Sequence, residues 1–275
     1  MSSAPVIELT EEHTEIYDRQ IRVWGLEGQK KLSNSLLALH NLDCINFEIA
    51  KNCILSGINL KLQDSKSLTP EDLQTNIFFP LSSINSSRLE LTQQILSSMN
   101  TLVQVSSDPS LENSSILCFS GDLQSAISIN IECRSMNIPS YFIFPAGRSI
   151  LVINDLLSTP LSQTISNIPS YLSLKKPRPN IIFHSYLAYL YSSFSGVSIS
   201  SLENTQFLQE TLTSEASKIE SAFLTYFYPS VQIIAGLVSQ DIIRCLTKSD
   251  EPFSVLLFDG ENSIAYTDRI TNNLN

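Results

Sequence analysis

The stretch SLLALHNLDCINFEIAKNCILSGINLKLQD, from Ser35 to Asp64, decides the fold. Ser35-Leu36-Leu37-Ala38-Leu39 is a short apolar run of the kind that forms a buried strand. Phe47 to Leu55 reads as a helix, ended by Ser56-Gly57. Ile58 to Asp64 alternates apolar and polar side chains, which predicts a second strand. Strand, helix and strand joined by loops of this length predict a parallel crossover. Asp64 then stands at the carboxyl end of the second strand, where a nucleotide-binding fold places the acid that holds a ribose hydroxyl. The turn between the first strand and the helix, His40-Asn41-Leu42-Asp43-Cys44-Ile45-Asn46-Phe47, contains no glycine. A phosphate cradle needs glycines there, so that backbone N–H groups can approach an anion seated on the helix N-terminus. Side chains fill that room here and Asp43 adds a repelling charge, so this loop is not expected to bind nucleotide.

The same rhythm extends outward. Thr69-Pro70-Glu71-Asp72 is a helix start with proline at the first position. Leu91, Ile95 and Met99 share one face of a helix from about Ser86 to Met99. Leu102 to Val105, Ser115 to Phe119, Ser140 to Phe144 and Ser149 to Ile153 read as strands, with a helix over 124–136 between the second and third of these. The alternation is that of an α/β, doubly wound, mostly parallel Rossmann-like sheet. After Asp155 it breaks. Residues 156–226 are expected to be a small helical insertion, with Lys175-Lys176-Pro177-Arg178-Pro179 as a linker or turn. Residues 1–155 and 227–275 form the α/β domain in this division. Val231, Ile234, Ala235, Val238 and Ile242 fall on one helical face, and Ser254 to Gly260 is a closing strand and turn.

The chain has 275 residues, 43% of them hydrophobic and 16% charged, as in a globular protein with a sizeable core. Its net charge of −10 argues against nucleic acid as a partner. No apolar run reaches the roughly 18 residues of a membrane helix, and Met1-Ser2-Ser3-Ala4 does not open a signal peptide. The five cysteines, at 44, 53, 118, 133 and 245, form no CxxC pair. Their odd number and spacing predict buried thiols in a reducing compartment and no metal site.

Upstream of the first strand, Thr10 followed by Glu11, Glu12 and His13 has the form of a capped helix start. Helical spacing brings Ile16, Gln20 and Val23 to one side, and Arg19 and Arg22 to another. Tyr17-Asp18-Arg19-Gln20-Ile21-Arg22-Val23-Trp24-Gly25-Leu26-Glu27-Gly28-Gln29-Lys30-Lys31-Leu32 resembles the N-terminal signature of the ubiquitin-like-protein activating enzymes, which have the ThiF-type adenylation fold. Glu48 to Ile58 resembles their first crossover helix and Leu68 to Leu73 the segment after their second strand. Phe258-Asp259-Gly260 resembles their closing turn, and Tyr226 to Leu246 their last helix. Within that family the chain is similar to the small, non-catalytic subunits of the heterodimeric SUMO-activating enzymes.

The departures from the family pattern fall in one place. The family's three loop glycines align with Asn41, Cys44 and Asn46. Asp64 matches its ribose-binding acid and Arg88 a basic position that touches phosphate in catalytic members. The second acid of the ribose motif is Lys66, and the Asn and Arg of the following helix are Asp72 and Thr75. Asp122 lies one residue from the alignment of the metal-binding Asp. Residues 134–244 hold no cysteine that could form a thioester. The resemblance thus implies a dismantled adenylation site with Asp64 and Arg88 as vestiges, no nucleotide of its own and no metal. It also implies that Arg19 acts in trans, reaching the ATP of a catalytic large subunit that itself binds ATP and magnesium and adenylates SUMO. The 231–246 helix, with Trp24 and Phe227, is the candidate interface. A nuclear and cytoplasmic location follows from the resemblance alone, Lys175-Lys176-Pro177-Arg178 being too short for an import signal. The alternatives are the equivalent subunit of a NEDD8-activating enzyme, usually much longer, and a self-sufficient homodimeric adenylating enzyme, against which the glycine-free loop argues.

Overall fold

The structure, a computed structural model, describes residues 8–168, 181–196, 218–220, 222–248 and 252–268. The chain divides into two compact units, one of residues 1–118 and 231–252, the other of 119–230 and 253–275.

The first unit opens with α1 (Glu11–Ile16) and α2 (Asp18–Ser33). Thr10 caps α1 through a capping box closed by His13, as the local sequence predicts. Gly25, at φ +75°, breaks α2 into two arms, a conformation that costs a glycine little. Then come β1 (Leu36–His40), α3 (Cys44–Leu55) and β2 (Asn59–Gln63). The two strands pair in parallel from Leu36 opposite Asn59 to His40 opposite Gln63, the crossover expected of this stretch. α4 (Pro70–Thr75) and α5 (Arg88–Met99) follow. β3 is only Val105–Ser106, parallel to β2, because the Asn100 side chain accepts from Leu102 N–H at 3.1 Å and holds the chain in a turn where a strand was expected. The strand order is β3-β2-β1-β4, with β4 (Ile116–Ser120) leading into the second unit.

The core of this unit is Leu37, Ala38, Leu39, Leu60 and Leu62 from the strands with Phe47, Ile49, Ala50, Cys53 and Ile54 from α3, all fully buried. Lys61, on β2, is 6% exposed; its ammonium donates to the carbonyls of Ser110 and Glu112 at 2.8 and 2.9 Å, which keeps a buried charge satisfied. The last long helix, α9 (Tyr228–Thr247), contributes Val231, Ile234, Ala235, Val238 and Ile242, each with no exposed surface. That apolar face, the sequence's candidate for a subunit interface, is therefore core; burying it against the chain's own strands and helices leaves it nothing to offer a partner.

In the second unit the order is β4-β5-β6-β7-β8, with β5 (Ser140–Ala146), β6 (Ser149–Asp155), β7 (Val255–Asp259) and β8 (Ile264–Asp268) joined antiparallel. β8 was not expected from the sequence. β5 and β6 are buried along their whole length. They are covered by α6 (Leu123–Ser135), α7 (Leu161–Ser166) and α8 (Ile181–Ser195), with Leu161, Ile165, Tyr186 and Leu190 fully buried. Asp155, buried at the end of β6, accepts from Arg134 at 2.8 Å and from Asn130 at 2.7 Å. The α/β, doubly wound class expected from the sequence is the fold found. Of the 156–226 segment, α7 and the backbone of α8 are described, while the Lys175 to Pro179 turn lies outside the described residues.

Candidate functional site

The turn after β1 is where a nucleotide-binding crossover would seat phosphate. Asn41 leads into it at φ +64°, a left-handed conformation that asparagine tolerates better than most side chains. Asp43 is the N-cap of α3: its Oδ1 accepts from the N–H groups of Ile45 and Asn46 at 3.1 and 3.0 Å, and the residue is only 3% exposed. The donors that a phosphate would need are thus taken by the chain's own carboxylate. The charge read from the sequence as merely repelling is a cap that occupies the seat. Asn46 crosses the turn, its Nδ2 donating to the carbonyls of His40 and Asn41 at 2.9 and 2.8 Å. Cys44 beside it is buried, its thiol pushed far up by burial and, secondarily, by the Asp43 charge. These residues do not fit a bound triphosphate.

The ribose end is filled in the same way. The Asp64 side chain, 2% exposed, accepts from Leu42 N–H at 2.6 Å through Oδ2 and from Lys66 N–H at 2.7 Å through Oδ1. The Arg88 guanidinium, 5% exposed, donates to the same Oδ2 through Nε at 2.8 Å. Its NH1 reaches Asp72 at 3.1 Å and its NH2 reaches the Asn41 side-chain oxygen at 2.6 Å. The two residues expected as vestiges are brought together, each answering the other. A buried guanidinium shared by two carboxylates and an amide has most of its five donors committed and its charge already answered. Asp72, at the position of the family's Asn, also closes the capping box of α4 with Thr69. Sequence reading did not foresee this closure, although an acid replacing an amide near a lone buried arginine is the signal that could have found it.

The N-terminal motif is built on the other end of α3. Helices leave their last carbonyls without partners. Here side chains supply them: Asn100 Nδ2 donates to Ile54 O at 2.8 Å, Gln20 Nε2 to Leu55 O at 2.9 Å and Gln29 Nε2 to Ser56 O at 3.0 Å. Tyr17, 1% exposed, accepts from Asn100 at 2.8 Å, and Trp24 donates to Gln29 Oε1 at 2.9 Å. Gly57, at φ +86°, lies against Tyr17 and Gln29 with no room for a methyl group. Tyr17, Gln20, Trp24 and Gln29 of the motif are thereby accounted for as a clamp on α3.

Arg22 pairs with Asp18 at 2.7 Å one helical turn away. Arg19 is exposed and forms no ion pair with any described residue. Ile16 and Val23, expected to share a side with Gln20, are 55% and 77% exposed, and Leu26 is 53% exposed. Trp24 lines an open groove of about 740 Å³ with Val23, Glu27 and Lys31 of α2 and Ile243 and Arg244 of α9.

Other candidates resolve into structure. Asp122 caps α6 through Ser125 N–H at 2.9 Å. Burial works against its ionisation, but the backbone and side-chain hydrogen bonds from Ser125 outweigh it and hold the carboxyl below its ordinary value. Cys53 and Cys133 are buried, and desolvation pushes each thiol up to about 12. No helix among the described residues is long and apolar enough to cross a membrane.

No family model matches the chain. DNA damage tolerance protein RHC31 of Saccharomyces cerevisiae is 29% identical over 163 residues, 55% of this chain and 47% of that protein. SUMO-activating enzyme subunit 1 of Homo sapiens is 39% identical over 101 residues, 36% of this chain and 29% of that protein. DNA damage tolerance protein rad31 of Schizosaccharomyces pombe is 26% identical over 294 residues, 92% of this chain and 96% of that protein. The matched region spans less than half of the first relative and less than a third of the second. Among solved structures, PaaA shares the fold with a TM-score of 0.66 at 14% identity, over 96% of this chain and 84% of that one. MccB of E. coli does so with a TM-score of 0.66 at 15% identity, over 96% and 71%. The chain thus has the fold of these two proteins and is similar in sequence to SUMO-activating enzyme subunit 1, RHC31 and rad31.

Proposed function

We propose that this chain is the catalytically incomplete subunit of a heterodimeric SUMO-activating enzyme and that it completes its partner's adenylation site with Arg19. The partner, a large catalytic subunit, holds ATP and magnesium and adenylates the SUMO carboxy terminus. The observation that carries the reading is a contrast within one domain: Arg88 is locked among Asp64, Asp72 and Asn41, while Arg19 stands exposed without an ionic partner among the described residues. A guanidinium held on a clamped helix and aimed at another protein's phosphates acts by offsetting charge where little water is left to do so. The relatives named SUMO-activating enzyme subunit 1 support the class of assembly; the partner's identity is inferred only as the half that kept its phosphate loop.

The test is affinity purification of the tagged chain from its source cells, followed by photocrosslinking with a radiolabelled azido-ATP. A second, larger chain is expected to co-purify and to carry the label. Label on this chain when it is isolated from the partner, or a complex whose larger chain takes no label, contradicts the proposal.

A further inference from the structure

We infer that Gln20 is the positioning residue of the Arg19 arm, and that its bond to the C-terminal end of α3 sets the direction in which Arg19 is presented. This inference rests on the role proposed for Arg19. Successive residues of an α-helix point about 100° apart, so fixing one side chain's direction fixes that of its neighbour. Gln20 is fixed: its Nε2 donates to Leu55 O at 2.9 Å, thirty-five residues away in sequence. The other end of the same arm is held through Trp24, which donates to Gln29, which in turn donates to Ser56 O. On the same arm Asp18 and Arg22 bond one another. Arg19 is the member of this arm with no partner of its own among the described residues, and the helix break at Gly25 leaves the arm dependent on its anchors rather than on the rest of α2.

A second observation concerns the other half of the Gln20 amide. Its Oε1 is buried without a hydrogen-bond partner among the described residues. An orphaned buried acceptor is unfavourable. Methionine, of similar length and helix propensity, would fill the same space without that penalty. Packing alone therefore favours Met at this position, and what Gln adds is the bond to Leu55 O.

The experiment is a double-mutant cycle on the purified heterodimer, read by SUMO-dependent ATP–pyrophosphate exchange, with Gln20→Met, Arg19→Ala and both together. Arg19→Ala is expected to lower kcat by about 10²–10³-fold, the loss typical of one preorganised donor. Gln20→Met is expected to lower kcat by roughly tenfold or more, with the KM for SUMO and the heterodimer yield unchanged, since a small misplacement of a catalytic group is expensive. In the Arg19→Ala background Gln20→Met should change kcat by less than about twofold, because coupled residues are not additive. Full exchange by Gln20→Met, or a loss that multiplies with that of Arg19→Ala, overturns the inference while leaving Arg19 intact. An Arg19→Ala complex that exchanges normally overturns the proposed function itself, and this inference with it.

Discussion

At the scale of single residues, Asp43 and Arg88 show how a site is closed without being emptied. Asp43 supplies the negative charge that the start of α3 would otherwise take from a phosphate. Asp43→Ala is expected to lower stability by about 1 kcal/mol, the usual loss for an N-cap, in urea unfolding of the chain. Arg88 answers the buried Asp64 and the half-buried Asp72, so Arg88→Ala should cost about 3 kcal/mol or more by leaving Asp64 uncompensated. Arg19→Ala, at an exposed position, should stay within about 0.5 kcal/mol. His40, at the end of β1, adds a pH dependence. Burial pushes its imidazole from the ordinary 6.5 down to about 4, so the unfolded chain binds this proton and the folded chain does not between those values. Stability from this group is full above about pH 6.5 and is lost as pH falls toward 4, by about 3 kcal/mol at most. Urea unfolding at pH 7.5 and pH 5 should show this slope in the native chain and its reduction in His40→Gln.

At the scale of elements, α3 is the piece on which both halves of the story depend. Its N-terminus is stopped by Asp43 and its C-terminus is held by Gln20, Gln29 and Asn100. Gly57→Ala would drive a methyl into Tyr17 and Gln29 at a positive φ, and is expected to cost more than about 1 kcal/mol. The same variant should loosen the Arg19 arm, seen as faster amide exchange over residues 18–24. Much of this element was legible in the sequence. The apolar run of β1, the alternation of β2 and the absence of loop glycine were enough to give the crossover and to doubt its phosphate seat. The start of α3 was read three residues late, since Cys44, Ile45 and Asn46 are poor helix starters unless Asp43 caps them. The clamp was not legible, because its donors lie far apart in the chain and glutamines look like surface residues until a helix end is brought beside them. β8 was missed because Ile264 to Asp268 follows a turn with no apolar run, and its pairing with β7 is decided by the fold.

At the scale of the whole molecule, the proposed function requires a partner. Ile16, Val23 and Leu26 lie exposed around the Arg19 arm. If Arg19 enters a partner's site, this arm goes with it and those side chains lose water. Val23→Asp is expected to weaken heterodimer assembly at least about tenfold, measured by sedimentation, with no loss of stability in the lone chain. The fully buried face of α9 should tolerate no charge at all, for the different reason that it is core. The most direct test of the central claim is ATP–pyrophosphate exchange by three samples: the chain alone, the native heterodimer and the heterodimer carrying Arg19→Ala. No exchange is predicted in the first, full exchange in the second, and a rate lower by about 10²-fold or more in the third. Exchange by the lone chain, or full exchange by the Arg19→Ala heterodimer, would contradict the account.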